Sequence, residues 1–187
     1  MKKRMKTRDV AFQFRMGAGF PGDVNRSHPA WIEPCLIDSV SPPLFFGEAV
    51  VIDTAADAGI NGVRPLVAGD HSDATPLVVW GYNVRPYPFQ QAAATNYGAT
   101  AIGAGAPPAF GVTDVLRGGY IMTQIPTGQT AAKGGAVYVW CTASTGAHIQ
   151  GGTEAVYSST NTVLVANATF NGPADASGIA EIIINVN

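Results

Sequence analysis

Short runs of alternating hydrophobic and polar residues, separated by turn-forming residues, dominate this chain. The clearest run covers residues 136–143, where Val137, Val139 and Cys141 fall on one side and Tyr138, Trp140 and Thr142 on the other. Alternation with a period of two is typical of a β-strand that buries one face. Six further runs predict strands, at residues 10–15, 48–54, 76–82, 119–126, 162–170 and 179–186. The pattern therefore predicts an all-β protein, a β-sandwich or a β-barrel of jelly-roll-like kind.

Two regions interrupt this pattern. Residues 17–43 contain five prolines, which exclude regular sheet or helix for long, yet they also carry the apolar side chains Phe20, Trp31, Ile32 and Leu36. We interpret this region as an ordered, extended segment that lies across the body or across a neighbour. Residues 96–112 are rich in glycine, alanine and proline and predict a long surface loop. A helical turn is predicted only at residues 90–94. The chain thus divides into an extended N-terminal arm, residues 1–43, and a β-rich body, residues 44–187.

The charged residues are few and unevenly placed. They make up 13% of the chain, while 47% of the residues are hydrophobic, which suggests a protein that buries much of its surface against partners. Residues 1–15 carry six basic side chains and one acidic, a net charge of +5, whereas the remainder carries a net charge of −7. The basic terminus is either a solvated, frayed end or an arm that docks on an acidic surface. Direct binding of nucleic acid is not expected, because the acidic body repels phosphate.

Residues with catalytic or ligand-binding potential form no recognisable site. The glycines of residues 17–22 match G-x-G-x-x-G, but Pro29 and Pro34 prevent the helix that a dinucleotide site needs, so they are interpreted as turn residues. The three histidines, His28, His71 and His148, lack the spacing of common metal motifs. We therefore predict no cofactor, no metal and no enzymatic activity.

The remaining reactive side chains also have structural explanations. Cys35 and Cys141 both lie in apolar surroundings and are predicted to be small buried hydrophobic residues. Glu48, Glu154 and Glu181 adjoin ordinary strand residues and do not suggest paired catalytic carboxylates. The apolar runs are too short to span a bilayer, so no membrane association is expected.

Several unusual strings occur in an order that resembles one family. They include MGAGFPGDVNRSHPAWIEP at residues 16–34, FGEAVVID at 46–53, NGVRPL at 61–66, GGAVYVW at 134–140, HIQGG at 148–152 and FNGPADASGIAEIIINV at 170–186. The chain resembles the structural cement proteins of tailed bacteriophages, also called capsid decoration proteins. The resemblance covers most of the chain except residues 1–10 and about 70–115, and the basic residues 1–8 are a departure from it.

This resemblance implies a non-enzymatic virion protein, made in the bacterial host cytoplasm and bound to the exterior of the capsid. The implied partner is the major capsid protein, whose adjoining subunits it would bind across and reinforce. A homo-oligomer, dimer or trimer, would make modest single contacts sufficient. The alternative is a tail-fibre or receptor-binding β module, which is also β-rich and glycine-rich. Copy number in virions separates the two, since a cement protein is present in hundreds of copies and a tail protein in few.

The residues expected to bind the partner lie in the arm. Aromatic side chains are the usual hot spots of interfaces, and a proline-restricted segment loses less entropy when it docks. The candidates are Phe12, Phe14, Phe20, Pro21 and Trp31, with Lys2, Lys3, Arg4 and Lys6 adding a salt-dependent attraction to an acidic surface. The competing interpretation is that these aromatic residues cap the protein's own core.

Overall fold

The fold consists almost entirely of β-strands, which confirms the predicted all-β class. The computed structural model describes residues 19–26, 29–53, 62–70, 76–86, 107 and 111–185. The strands are β1 (Ala30–Ile37), β2 (Ala49–Ile52), β3 (Gly62–Pro65), β4 (Gly81–Asn83), β5 (Val112–Gln124), β6 (Ala136–Trp140), β7 (Thr153–Glu154), β8 (Thr162–Phe170) and β9 (Ile179–Ile184). A single 3-10 turn at Ala68–Asp70 is added to them within the described ranges. No helix in these ranges has the length and apolar character needed to cross a membrane.

Five of the strands close into a ring. β1 pairs in parallel with β3 and antiparallel with β5, while β2 pairs with β3 and β4, and β4 pairs with β5. The other strands extend from β5, whose residues 119–124 pair with β9, followed by β8, β6 and β7. β5 is 13 residues long and therefore belongs to both the ring and the extended sheet.

Two hydrophobic cores correspond to these two parts. The smaller one takes one residue from each of four ring strands, Cys35, Val50, Val63 and Val115, and Trp80 packs against it. The larger one lies between β4, β5 and the extended sheet and includes Tyr82, Leu116, Phe170 and Ile182. Val137, Val139 and Cys141 all belong to the larger core, which confirms the face predicted from their alternation. Cys35 and Cys141 are free and buried, as predicted.

Strand β1 corrects one expectation, since residues 30–37 form regular sheet despite Pro34. The backbone N–H of Ile37 donates to the Gly111 carbonyl, 2.9 Å away. Every second residue of an antiparallel strand forms backbone hydrogen bonds with the same neighbouring strand. Because Ile37 bonds towards β5, Pro34, three residues earlier, has its backbone nitrogen and oxygen on the opposite side of β1. On that side β3 pairs only with Leu36 and Ile37. A proline is tolerated there because no described ladder bond needs its missing N–H.

The prediction of a strand at residues 76–82 is wrong over most of its length. Only the short β4 (Gly81–Asn83) is regular there, preceded by an isolated bridge between Leu77 and Val165. The segment runs between the two cores: Val79 is buried in the larger core and Trp80 packs on the smaller, while Val78 is half exposed. Leu77 and Val79 pack on the larger core and Trp80 on the smaller, so the segment has the apolar composition of a strand without regular pairing.

Other parts of the predictions lie outside the described residues. These are the strand at residues 10–15, the helical turn at 90–94 and most of the loop at 96–112, of which only Pro107, Gly111 and Val112 are described. The division of the chain at residue 43 stays a prediction.

Candidate partner-binding surface

Three of the predicted partner-binding residues lie within the described part of the chain. Phe20 and Trp31 are each 48% exposed, and Pro21 is partly buried. The others, Phe12, Phe14, Lys2, Lys3, Arg4 and Lys6, lie outside the described residues. Phe20 and Pro21 are neighbours in one segment, whereas Trp31 lies in β1 with a different set of contacts.

Phe20 and Pro21 belong to a segment that we call the strap, residues 19–26, which is hydrogen-bonded to the body. The N–H of Gly22 donates to the Met122 carbonyl (2.7 Å), and the N–H of Met122 donates to the Asp23 carbonyl (2.9 Å). On the other side of the strap, the N–H of Arg85 donates to the carbonyl of Gly22 (2.9 Å). The strap therefore lies between β5 and the residues that follow β4.

Charged side chains fix the strap further. The Arg85 guanidinium lies 4.6 Å from the centre of the Phe20 ring and 3.6 Å from an Asp23 carboxylate oxygen. Near the other end of the strap, Arg26 donates two hydrogen bonds to Glu181, at 3.1 and 2.9 Å. Arginine over an aromatic face combines a cation–π attraction with planar packing. Phe20 is thus half exposed but held against the body by Arg85.

Gly22 and Gly47 allow the strap to approach the body closely. Gly22 has φ = +87°, and a Cβ on it would lie 2.7 Å from the Cβ of Phe46 and 3.0 Å from the backbone nitrogen of Arg85. Gly47, at φ = +79°, would place a Cβ 2.7 Å from the nitrogen of Gly22. Each position requires glycine both for its backbone conformation and for space.

Trp31 is held in a similar way at a different place. Trp31 pairs with Gly118 and Ile32 pairs with Leu116, so Arg117 is an extra residue in β5. This irregularity is a β-bulge. The Arg117 guanidinium lies 3.3 Å from the centre of the Trp80 ring and 5.7 Å from that of Trp31, and it donates to Glu33 at 2.9 Å. The bulge therefore places an arginine between two tryptophans, and the outer tryptophan presents half its surface to solvent.

His148 and Glu154 form a pair that no pattern in the sequence indicates. His148 Nδ1 lies 2.8 Å from Oε1 of Glu154, whose other carboxylate oxygen accepts a hydrogen bond from the Gln129 amide. The imidazole also stacks on Trp140, with ring centres 4.4 Å apart. Glu154 is 1% exposed, so its carboxylate is buried and its hydrogen-bonding needs are met by His148 and Gln129. β6 pairs with β7, which places Glu154 beside Tyr138, and His148 stacks on Trp140 at the end of β6, so the fold and not a metal-type spacing brings the two residues together.

Glu48 is a second buried carboxylate, and it has no cationic partner among the described residues. One of its oxygens accepts hydrogen bonds from the backbone N–H groups of Leu44 (2.6 Å) and Phe45 (3.3 Å), while Oε1 has no partner. Complete burial disfavours the charged form and raises the pKa of Glu48 to about 8. The side chain is therefore largely protonated at neutral pH and anchors the turn at residues 44–47.

The two cysteine thiols are in surroundings that lower their reactivity. Burial raises the pKa of the Cys35 and Cys141 thiols, which disfavours the thiolate that would act as a nucleophile. The groups that the surface does offer are half-exposed aromatic rings held by arginines, which are typical of binding surfaces.

Comparisons with known proteins identify the class to which this fold belongs. Residues 10–184 match the family model of the XM1 gp53 minor capsid protein. A chain of the solved capsid of Myoviridae phage XM1 has the same fold, with a TM-score of 0.63 at 16% sequence identity, over 97% of this chain and 98% of that one. No match is found among curated proteins. The protein is thus a phage capsid-associated structural protein. More particularly, the chain belongs to the family of the XM1 gp53 minor capsid protein.

Proposed function

We propose that this protein is a capsid cement protein without catalytic activity. It binds across adjoining subunits of the major capsid protein on the outer face of the shell and stabilises the shell. The observation that carries this proposal is the match of residues 10–184 to a minor capsid protein family. An all-β body with half-exposed aromatic residues and buried, unreactive cysteines supports a binding role.

The binding mechanism follows from the way in which the aromatic residues are held. Arg85 and Arg117 fix Phe20 and Trp31 before any partner arrives, so little side-chain entropy is lost on docking. Lys2, Lys3, Arg4 and Lys6 add a salt-dependent attraction if the outer face of the shell is acidic. Assembly into a dimer or trimer multiplies these contacts on a shell of identical sites.

Particles that lack this protein should assemble normally but lose their DNA at a lower temperature than complete particles. The reason is that a cement protein adds contacts between shell subunits but is not needed for those subunits to assemble into a shell. The measurement is DNA release on heating and on osmotic shock, with the purified protein added back as the control. Equal survival of the two kinds of particle would rule out reinforcement, and a virion copy number of only a few would favour a tail component.

Replacing Trp31 with alanine should weaken binding to shells by about 2 kcal/mol and change the melting temperature of the isolated protein little. Half of the Trp31 surface is already in water, and Trp31 is not among the residues of either hydrophobic core. Tyr157→Ala is the matched control, because Tyr157 is a 53% exposed aromatic residue beyond β7.

Shell binding is measured by co-sedimentation and stability by thermal unfolding of the same preparations. A large fall in melting temperature with unchanged shell binding would assign Trp31 to the capping of the core and contradict its role as a contact residue.

A further inference from the structure

The outer face of the ring carries an apolar strip that the strands β1 and β5 share. Ile32 and Leu36 are each 41% exposed, Val112 is 57% exposed, and Pro34 is exposed as well. Residues two apart on a strand point to the same side, and Leu36 pairs directly with Val112. These four residues, which we call the outer strip, therefore form one continuous surface about 13 Å long.

One unpaired charge lies within the outer strip. Asp114 is exposed and is the register partner of Pro34, and it forms no ion pair within the described residues. The described arginines, by contrast, all have carboxylate partners: Arg26 with Glu181, Arg64 with Asp70, Arg85 with Asp23 and Arg117 with Glu33. No described arginine therefore pairs with Asp114, and the strip presents an apolar surface with a negative charge at its centre.

The geometry favours docking on the face of the strip over the addition of a strand to its edge. Pro34 has no N–H to offer at the open side of β1, which weakens any added ladder. At the other end of the face, Leu116 pairs with Ile32 but is fully buried in the larger core. The strip is therefore a short exposed patch bounded by the body, with room for a turn of helix or a bent loop rather than a long strand.

We infer that the outer strip binds an apolar segment of the major capsid protein that carries a lysine or arginine opposite Asp114. This inference rests on the proposed function, which supplies the partner, while the apolar face and its single carboxylate specify the chemistry of the contact. The outer strip includes neither Phe20, which lies in the strap, nor Trp31, which packs beside Arg117.

The test compares two matched double variants for binding to empty shells assembled from the major capsid protein of the same phage. Leu36→Asn with Val112→Asn changes the outer strip, whereas Ile149→Asn with Val156→Asn changes residues of similar exposure, 47% and 54%, elsewhere on the surface. We expect the strip variant to bind at least about tenfold more weakly, with the control variant within about twofold of the unchanged protein. Asp114→Asn should weaken binding at low salt and have no effect at high salt.

The possible failures are distinguishable. If the unchanged protein does not bind shells, the proposed function fails and the inference falls with it. If it binds shells and the strip variant binds equally well, the inference alone is overturned. Sedimentation of the free protein adds a third outcome: if the strip variant loses self-association and keeps shell binding, the strip binds a second copy of this chain, which also overturns the inference.

Discussion

Replacing Glu48 with glutamine should make the protein about 3 kcal/mol more stable at pH 7. The folded-state pKa of Glu48 is about 8, above its ordinary value of 4.5. A pKa that folding raises gives full stability below the ordinary value and loses it as the pH rises towards the folded value, at about 1.4 kcal/mol per pH unit. Glutamine is neutral throughout, and its carbonyl oxygen can still accept the hydrogen bonds from Leu44 and Phe45.

The same variant provides its own control. At pH 4.5 the unchanged protein and Glu48→Gln should have nearly equal free energies of unfolding, and the difference should grow steadily up to pH 8. Denaturant unfolding at several pH values measures this difference directly. An unpaired amide of the glutamine would lower stability equally at every pH, so the growth of the difference with pH is the diagnostic result. If the difference between the two proteins does not grow between pH 4.5 and pH 8, Glu48 is charged in the folded state.

Gly22→Ala should be strongly destabilising and should detach the strap from the body. A Cβ at this position requires Phe46 and Arg85 to move and also places a non-glycine residue at φ = +87°. The backbone conformation alone costs about 1 kcal/mol. The steric clash adds to that cost, because the nearest atoms are Cβ atoms and a backbone nitrogen, which move less easily than the end of a flexible side chain. We expect a total loss of about 3 kcal/mol.

Gly128→Ala separates these two contributions. Gly128 has φ = +91°, close to that of Gly22, but no atom lies within 4 Å of the position its Cβ would take. It should therefore lose only the conformational contribution. Equal losses in the two variants would show that the strap is not packed against the body at Gly22. Protease cleavage within residues 19–26 gives a second measurement, since only the Gly22 variant should expose this segment.

The strands that were predicted well are those with one buried and one solvated face. In β6, Val137 and Val139 face the larger core, while Tyr138 between them is only partly buried. In β9, Ile182 and Ile184 face the same core, while Ile183 between them is only partly buried. The first half of β5 was not predicted. Val115 faces the small core and Leu116 faces the large one, and both are fully buried. Where a strand has a core on each side, hydrophobic alternation disappears, although the strand remains regular.

The candidate surface was predictable only in its residue types. Phe20 and Trp31 stand out in the sequence as large apolar residues in a proline-rich segment, which suggested exposure to a partner. The arginines that hold them, Arg85 and Arg117, come from distant parts of the chain, and no local spacing indicates such contacts. The same holds for the outer strip, because Leu36 and Val112 become neighbours only when β5 closes the ring.

The closure of the ring also bears on the solubility of a protein with so few charges. Exposed strand edges are templates for aggregation, and a chain with 47% hydrophobic and 13% charged residues has little electrostatic repulsion to prevent it. The ring leaves its five strands paired on both sides over part of their length, and the other end of the sheet stops at β7, which is only two residues long. The open stretch of β1 is interrupted by Pro34. Few strand edges of the described residues are thus open to pairing with another copy of the chain. The protein can therefore have a weakly charged surface, suited to contacts with partners, without aggregating edge to edge.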